Sequence, residues 1–237
     1  MAIRAITFDF WRTLFHEARD PELRRLIRIR AVCEATGAAP ELARAALRTS
    51  EQEFMHHHIS HQRTLGPEDA VRIVMRELGV DLAADVRKHL AEVFATAILA
   101  YPPIPIEGAL DAVIAAAARG PVGVISDSGL SPGSSLRALL ERNGFLPHFG
   151  SVLFSDEVGV SKPHARMFDT SARELGVAVS ELLHIGDLEG TDVAGAKAVG
   201  ARAALFVGDN SRHLENTTAD FVFTTWGEFV EALPGLS

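Results

Sequence analysis

Apolar residues fall along this chain in two rhythms. At the start, IRAITFD (residues 3–9) is almost unbroken by polar positions and predicts a buried strand. From Pro21 to Ala100 the spacing turns helical throughout. PELRRLIRIRAVCEATG opens with Pro and Glu and stops at Gly37. PELARAALRTSEQEFMHHH and PEDAVRIVMRELG repeat that opening, and DLAADVRKHLAEVFATAILA follows. Proline suits a first helical turn, where its missing N–H is not needed, and Gly suits the end. YPPIPIEG (residues 101–108) breaks the rhythm and predicts a hinge or linker. Beyond it the pattern alternates: a helix at 108–119, the strand VGVIS, a helix at 133–143, SVLFS, a helix near 163–176, LLHIG, a helix at 190–200, RAALFV, and FVFTT last.

Short apolar strands separated by helices call for a parallel sheet covered on both faces. The expected fold class is α/β. A Rossmann-like parallel sheet core with helices on both faces takes residues 1–15 and 104–237, and an all-helical cap domain is inserted at residues 16–103. Open parallel sheets bind ligands beyond the carboxyl ends of their strands. Asp9, Ser126, Asp156 and Asp187 all fall at such ends.

Composition narrows the function classes. Of 237 residues, 47% are hydrophobic, enough for a sizeable core, and the net charge of −8 argues against general nucleic-acid binding, which needs a basic surface. A single cysteine, Cys33, excludes an intrachain disulfide and a multi-cysteine zinc site. No stretch reaches the roughly 18 apolar residues of a membrane span. The apolar run of MAIRAITFDF ends at Asp9, too early for a signal peptide. A cytoplasmic protein without nucleic-acid or membrane partners is expected.

Five residues suggest chemistry. Asp9 and Asp187, at strand ends, could share a hard divalent cation through oxygen, with Mg²⁺ the natural choice beside phosphate. A carboxylate can also attack phosphorus. Lys162 could neutralise the transferring oxygens, Ser126 could donate to one of them, and Asp192 could support the metal or the lysine. The segments ITFDFWRTLF, VGVISDS, VGVSKPHARMF and LLHIGDLEGTDVAGAKAVGAR carry these residues in order. Together they resemble the four motif regions of the haloacid dehalogenase (HAD) superfamily of hydrolases, and the insertion after the first motif is similar to that family's helical cap.

The resemblance implies Asp9 as nucleophile, Ser126 as phosphate-binding hydroxyl and Lys162 as charge stabiliser. It places Mg²⁺ on Asp9, the main-chain carbonyl of Trp11 and Asp187, with Asp192 behind them. Arg12 and Asp127, adjacent to these groups, are expected to contact substrate. The implied activity is hydrolysis of a small phosphorylated metabolite through an aspartyl phosphate.

Two residues depart from the pattern D-x-D-x-T. Trp11 stands where phosphatases of the family carry an acid that protonates the leaving oxygen and activates water, and Arg12 replaces the usual Gly; Thr13 is kept. Loss of a positioned acid/base forfeits about 10²–10⁴ in rate. Three readings follow. One is a weak or specialised phosphatase that borrows a donor, with His16 and Asp127 nearby. Another is a 2-haloacid dehalogenase or a phosphonatase, the latter needing a cap lysine, for which only Lys88 is available. The last is a non-catalytic phosphate-binding or interaction protein.

Other motifs are expected to be structural. GLSPG fits G-x-S-x-G, but Ser131 lies too far past VGVIS for a nucleophile elbow. In MHHHISH, His57 and His61 have the i,i+4 spacing of a metal pair, yet no carboxylate matches them. A solvated helix end is expected for the cluster His56–His61, with substrate contact the alternative. Arg24, Arg25 and Arg28 share an arc of roughly 100°, expected to be a solvated face, with attraction of an anionic substrate the alternative.

Overall fold

A computed structural model describes residues 2–16 and 21–236. The connection at residues 17–20, for which the sequence offers no hinge signal, lies outside the described residues.

Among the described residues six strands form one parallel sheet: β1 (Ala5–Phe8), β2 (Val122–Ser126), β3 (Ser151–Phe154), β4 (Leu182–Gly186), β5 (Arg202–Phe206) and β6 (Phe221–Phe223), in the order β3-β2-β1-β4-β5-β6. From β1 the chain builds outward through β2 and β3, then returns to build through β4, β5 and β6. The reversal falls between β1 and β4, where backbones diverge and leave a crevice beyond the strand ends. Phe8 pairs with Ile185 and with Val124, so Asp9, Ser126 and Asp187 emerge at nearly the same level.

Among the described residues, four helices lie between β1 and the proline-rich segment: α1 (Pro21–Thr36), α2 (Pro40–His61), α3 (Pro67–Leu78) and α4 (Ala84–Ala100). They share an apolar cluster of their own, including Ile29, Val32, Leu47, Val74 and Phe94. Six more accompany the sheet: α5 (Ala109–Ala117), α6 (Gly133–Arg142), α7 (Ser155–Val158), α8 (Ala165–Glu174), α9 (Ala194–Ala198) and α10 (Trp226–Ala232). One face of the sheet packs Phe8 and Ile185 against α5, α6 and α10; the other packs Ile125 and Leu205 against α8 and α9. Strands buried on both faces explain the nearly unbroken apolar runs in the sequence.

The proline-rich segment does not hang free. Ile106 N–H donates to the Leu14 carbonyl, and His16 N–H donates to that of Ile104, so 104–106 runs beside the exit from the first motif.

Two expectations need correction. FVFTT is not the last element, because α10 follows it. Thr225 caps that helix, its Oγ1 accepting from Glu228 N–H while the Glu228 carboxylate accepts from Thr225 N–H. This T-x-x-E capping box was present in the sequence. Nor do all the α1 arginines form a solvated face. Arg24 and Arg28 are buried, donating to the carbonyls of Tyr101 and Phe94, while Arg25 pairs with Glu22 and Glu51. Long guanidinium side chains reach carbonyls of α4 and its end, and so tie α1 to α4.

Candidate active site

Asp9 is the first residue beyond β1. Its N–H still donates to the Ile185 carbonyl at 2.8 Å, so the strand fixes the carboxylate before the chain turns away. In the turn, Leu14 and Phe15 both donate to the Phe10 carbonyl. Arg12 adopts left-handed backbone, φ 52°, which costs a residue with a side chain roughly 1–2 kcal/mol. The residue type has departed from Gly, yet the backbone keeps the shape Gly would suit.

Lys162 enters from the loop before α8. Its Nζ donates to Asp9 Oδ1 at 2.7 Å and to Asp192 Oδ1 at 2.5 Å, and the residue is only 3% exposed. Burial works against its charge, but the carboxylates of Asp192, Asp9 and Asp127 outweigh burial and hold its pKa above the ordinary lysine value.

Asp192 reaches this lysine because the chain after β4 winds through a π-helical turn over Glu189–Val193. Its carboxylate also accepts from Leu188 N–H at 2.9 Å and lies 3.1 Å from His184 Nε2. Gly186 makes room: a Cβ there would sit 2.2 Å from Asp192 Cγ. His184 is wholly buried, and burial pushes its pKa down. As a neutral ring it donates from Nε2 to Asp192 and accepts at Nδ1 from the Thr7 hydroxyl, 3.0 Å away. Asp187 Oδ2 accepts from Asn210 Nδ2 at 2.7 Å.

Carboxylate oxygens of Asp9, Asp187 and Asp192 lie within 4.8 Å of one another. Three buried carboxylates face one ammonium, and the protonation equilibria register the imbalance. Burial, opposed by Lys162 and aided by Asp192 and Asp187, raises Asp9 to about 7. Burial and then the Asp192 charge raise Asp187 to about 6. Asp192 goes the other way: burial would raise it, but Lys162 and His184 hold it below the usual carboxylate range. An all-oxygen cluster with surplus negative charge fits a hard divalent cation.

A cavity of about 720 Å³ opens over this cluster. Trp11, Arg12, Leu188 and Arg212 contribute to its wall from around the sheet, while Phe54, Met55, His58 and Ile59 of α2 close it from the other side. The approach is tight, since a Cβ on Gly129 would lie 3.0 Å from the Phe54 ring.

The structure thus brings Asp9, Lys162, Asp187 and Asp192 together, with Arg12 and Trp11 beside them. Ser126 is fully buried at the end of β2, its Oγ 3.3 Å from the Asp127 carbonyl, and the cavity wall there is formed by Asp127, Ser128 and Gly129. Asp127 is engaged twice: Oδ1 accepts from Lys162 N–H at 2.9 Å, and Oδ2 lies 3.3 Å from His58 Nε2. Asp156 caps α6, accepting from Gly133 N–H. His16 pairs with Asp209 at 2.6 Å and is not in the cavity wall. The histidine run divides, with His56 and His61 exposed and His58 turned to the cavity. Exposed Lys88 lines a different groove, which removes the lysine a phosphonatase would need.

His184, Asn210 and Arg212 were missed from sequence. A histidine inside the buried strand LLHIG was a usable signal. Asn210 and Arg212 sit in a loop whose path no local pattern reveals.

Known proteins resemble this chain in sequence and in fold. The sequence pattern of haloacid dehalogenase-like hydrolases matches residues 3–200. Glyceraldehyde 3-phosphate phosphatase of Methanopyrus kandleri is 28% identical over 206 residues, 84% of this chain and 81% of that protein. Among solved structures, a 2-haloacid dehalogenase from Pseudomonas syringae superposes with a TM-score of 0.76 at 18% identity, covering 99% of this chain and all of the other. A HAD phosphatase from Thermococcus onnurineus superposes with 0.68 at 21% identity, covering 98% of this chain and 99% of the other. At such identities the two structures establish the fold alone. The family match, running from residue 3 to residue 200, identifies the chain as a haloacid dehalogenase-like hydrolase.

Proposed function

We propose that this hydrolase is a Mg²⁺-dependent phosphatase acting on a small phosphorylated metabolite through an aspartyl phosphate. The observation that carries the reading is the surplus of buried carboxylates over cations at the crevice between β1 and β4. Asp9, Asp187 and the Trp11 main-chain carbonyl would hold the ion, with Asp192 behind them. Bound Mg²⁺ would supply positive charge to the phosphoryl oxygens and let Asp9 and Asp187 stay ionised together.

The chain's own residues do the rest. Asp9 attacks phosphorus as a carboxylate. Lys162 holds the Asp9 carboxylate in place through Oδ1 and offsets the charge gathering on the transferring group. Asp192 and neutral His184 keep the ammonium aimed. Arg12 and Arg212 make the cavity wall attractive to an anion. Ser126 fits as the hydroxyl donor only if its Oγ turns from the Asp127 carbonyl. Helices α1–α4 serve as a cap, with Phe54, Met55 and Ile59 excluding water above the site.

A 2-haloacid dehalogenase is the second reading, favoured by Trp11 in place of an acid and by the apolar roof. Opposing it is the acid cluster, which displacement of halide by Asp9 does not require. The test is hydrolysis of an aryl phosphate with Mg²⁺ or EDTA, in the wild type and Asp9→Asn, beside halide release from 2-chloropropionate. Mg²⁺-requiring turnover lost in Asp9→Asn is expected. Turnover that ignores EDTA or survives the substitution defeats the phosphatase reading, and halide release without phosphatase activity selects the dehalogenase.

A further inference from the structure

Hydrolysis of an alkyl phosphate must give a proton to the departing oxygen, then take one from the attacking water. Around Asp9 few groups can do both. Trp11 has no acidic proton, a guanidinium such as that of Arg12 or Arg212 does not serve as a proton donor and acceptor in turn, and the Lys162 ammonium is committed to two carboxylates. His16 is held by Asp209 outside the cavity wall. Asp127 is occupied by the Lys162 backbone.

One imidazole remains in the wall. His58, on α2, stacks on Phe54 with ring centroids 5.4 Å apart and places Nε2 3.3 Å from Asp127 Oδ2. Its Nδ1 is buried and has no hydrogen-bond partner among the described residues. Nε2, beside a carboxylate and on a ring that lines the cavity, is the nitrogen placed to exchange a proton with a bound substrate. Asp127 in turn is fixed to Lys162, whose Nζ contacts the nucleophile. A short relay of contacts therefore ties the position of His58 to that of Asp9.

Building on the phosphatase reading, we propose that His58 is the catalytic acid/base of this enzyme, supplied by the helical segment in place of the acid missing at position 11. As Asp9 bonds to phosphorus and the bond to the leaving oxygen breaks, that oxygen keeps the electron pair and takes the Nε2 proton of the His58 imidazolium. The neutral ring then removes a proton from water as the water oxygen bonds to phosphorus, and Asp9 departs as a carboxylate. Asp127 Oδ2, 3.3 Å from Nε2, offsets the positive charge of the ring while it carries that proton.

The test compares His58→Gln and His58→Asn with the wild type on an alkyl phosphate and on 4-nitrophenyl phosphate, in Mg²⁺. A phenolate leaving group needs no proton, so the two steps separate. Turnover of the alkyl ester should fall by about 10²–10⁴. The aryl ester should give a burst of one equivalent of nitrophenolate, then slow turnover as the aspartyl phosphate waits for water. His56→Gln, on the exposed side of the same helix, should behave as wild type. Equal losses on both esters without a burst, or wild-type turnover in both His58 variants, overturn the assignment while leaving the phosphatase reading intact. Wild-type protein without Asp9-dependent phosphate release overturns both.

Discussion

The acid cluster makes a prediction about stability that needs no substrate. Without metal, native Asp9 and Asp187 titrate near 7 and 6, against about 3.8 for an ordinary aspartate. Between those values the native state binds more protons than the unfolded chain, so stability must fall as pH rises. From about pH 5 to pH 8, at about 1.4 kcal/mol per tenfold change in proton activity, Asp9 loses about 3 kcal/mol and Asp187 about 1. For a chain of this length, roughly 4 kcal/mol corresponds to a melting temperature lower by on the order of 10 °C.

Asp192, lowered rather than raised, has completed its titration below this range. His184, also lowered, works oppositely, adding stability as pH passes its unfolded value near 6.5. The diagnostic is therefore the difference between wild type and Asp9→Asn. Thermal melts in EDTA should decline with pH more steeply for the wild type, and Mg²⁺ should stabilise it far more at pH 8 than at pH 5, since metal and protons compete for the same oxygens. Parallel pH profiles for the two proteins, with no Mg²⁺ stabilisation at pH 8, would refute the idea of a charge-frustrated cation site.

Three further outcomes follow from packing. Gly186→Ala puts a methyl 2.2 Å from Asp192 Cγ; displacing that carboxylate from Lys162 should cost about 3–5 kcal/mol, and an unchanged urea midpoint would show that the turn yields cheaply. Trp226, 1% exposed, stacks on Phe206 and donates from Nε1 to the Thr13 carbonyl at 3.1 Å. Trp226→Ala should lose about 3–5 kcal/mol by denaturant titration, and a loss below 1 would mean the C-terminal helix is dispensable. Thr225→Ala should cost about 1 kcal/mol, with Thr225→Ser recovering most of it.

Local physics made much of this molecule legible from its residues. Apolar runs too short for helices, each followed by an amphipathic segment, require parallel pairing, and Pro-Glu openings with Gly stops marked α1 and α3. Asp9 and Asp187 could be placed at strand ends because a charge after an apolar run must find a partner or an exit. The start of α10 was equally local, its capping box running only from Thr225 to Glu228.

Other features depend on which distant segments meet. Arg24 and Arg28 look like any polar helix stripe until α4 packs over them and presents carbonyls. MHHHISH looks like one solvated cluster, and only the placement of α2 above the sheet separates His58 from its neighbours and sets it against Asp127. Asn210 reaches Asp187 by a loop with no periodicity at all. Sequence determines periodicity, termini and the chemical inventory, because those act over a few bonds. Tertiary structure alone decided which carboxylates share one buried ammonium and which imidazole faces them, because those contacts join residues up to 153 positions apart.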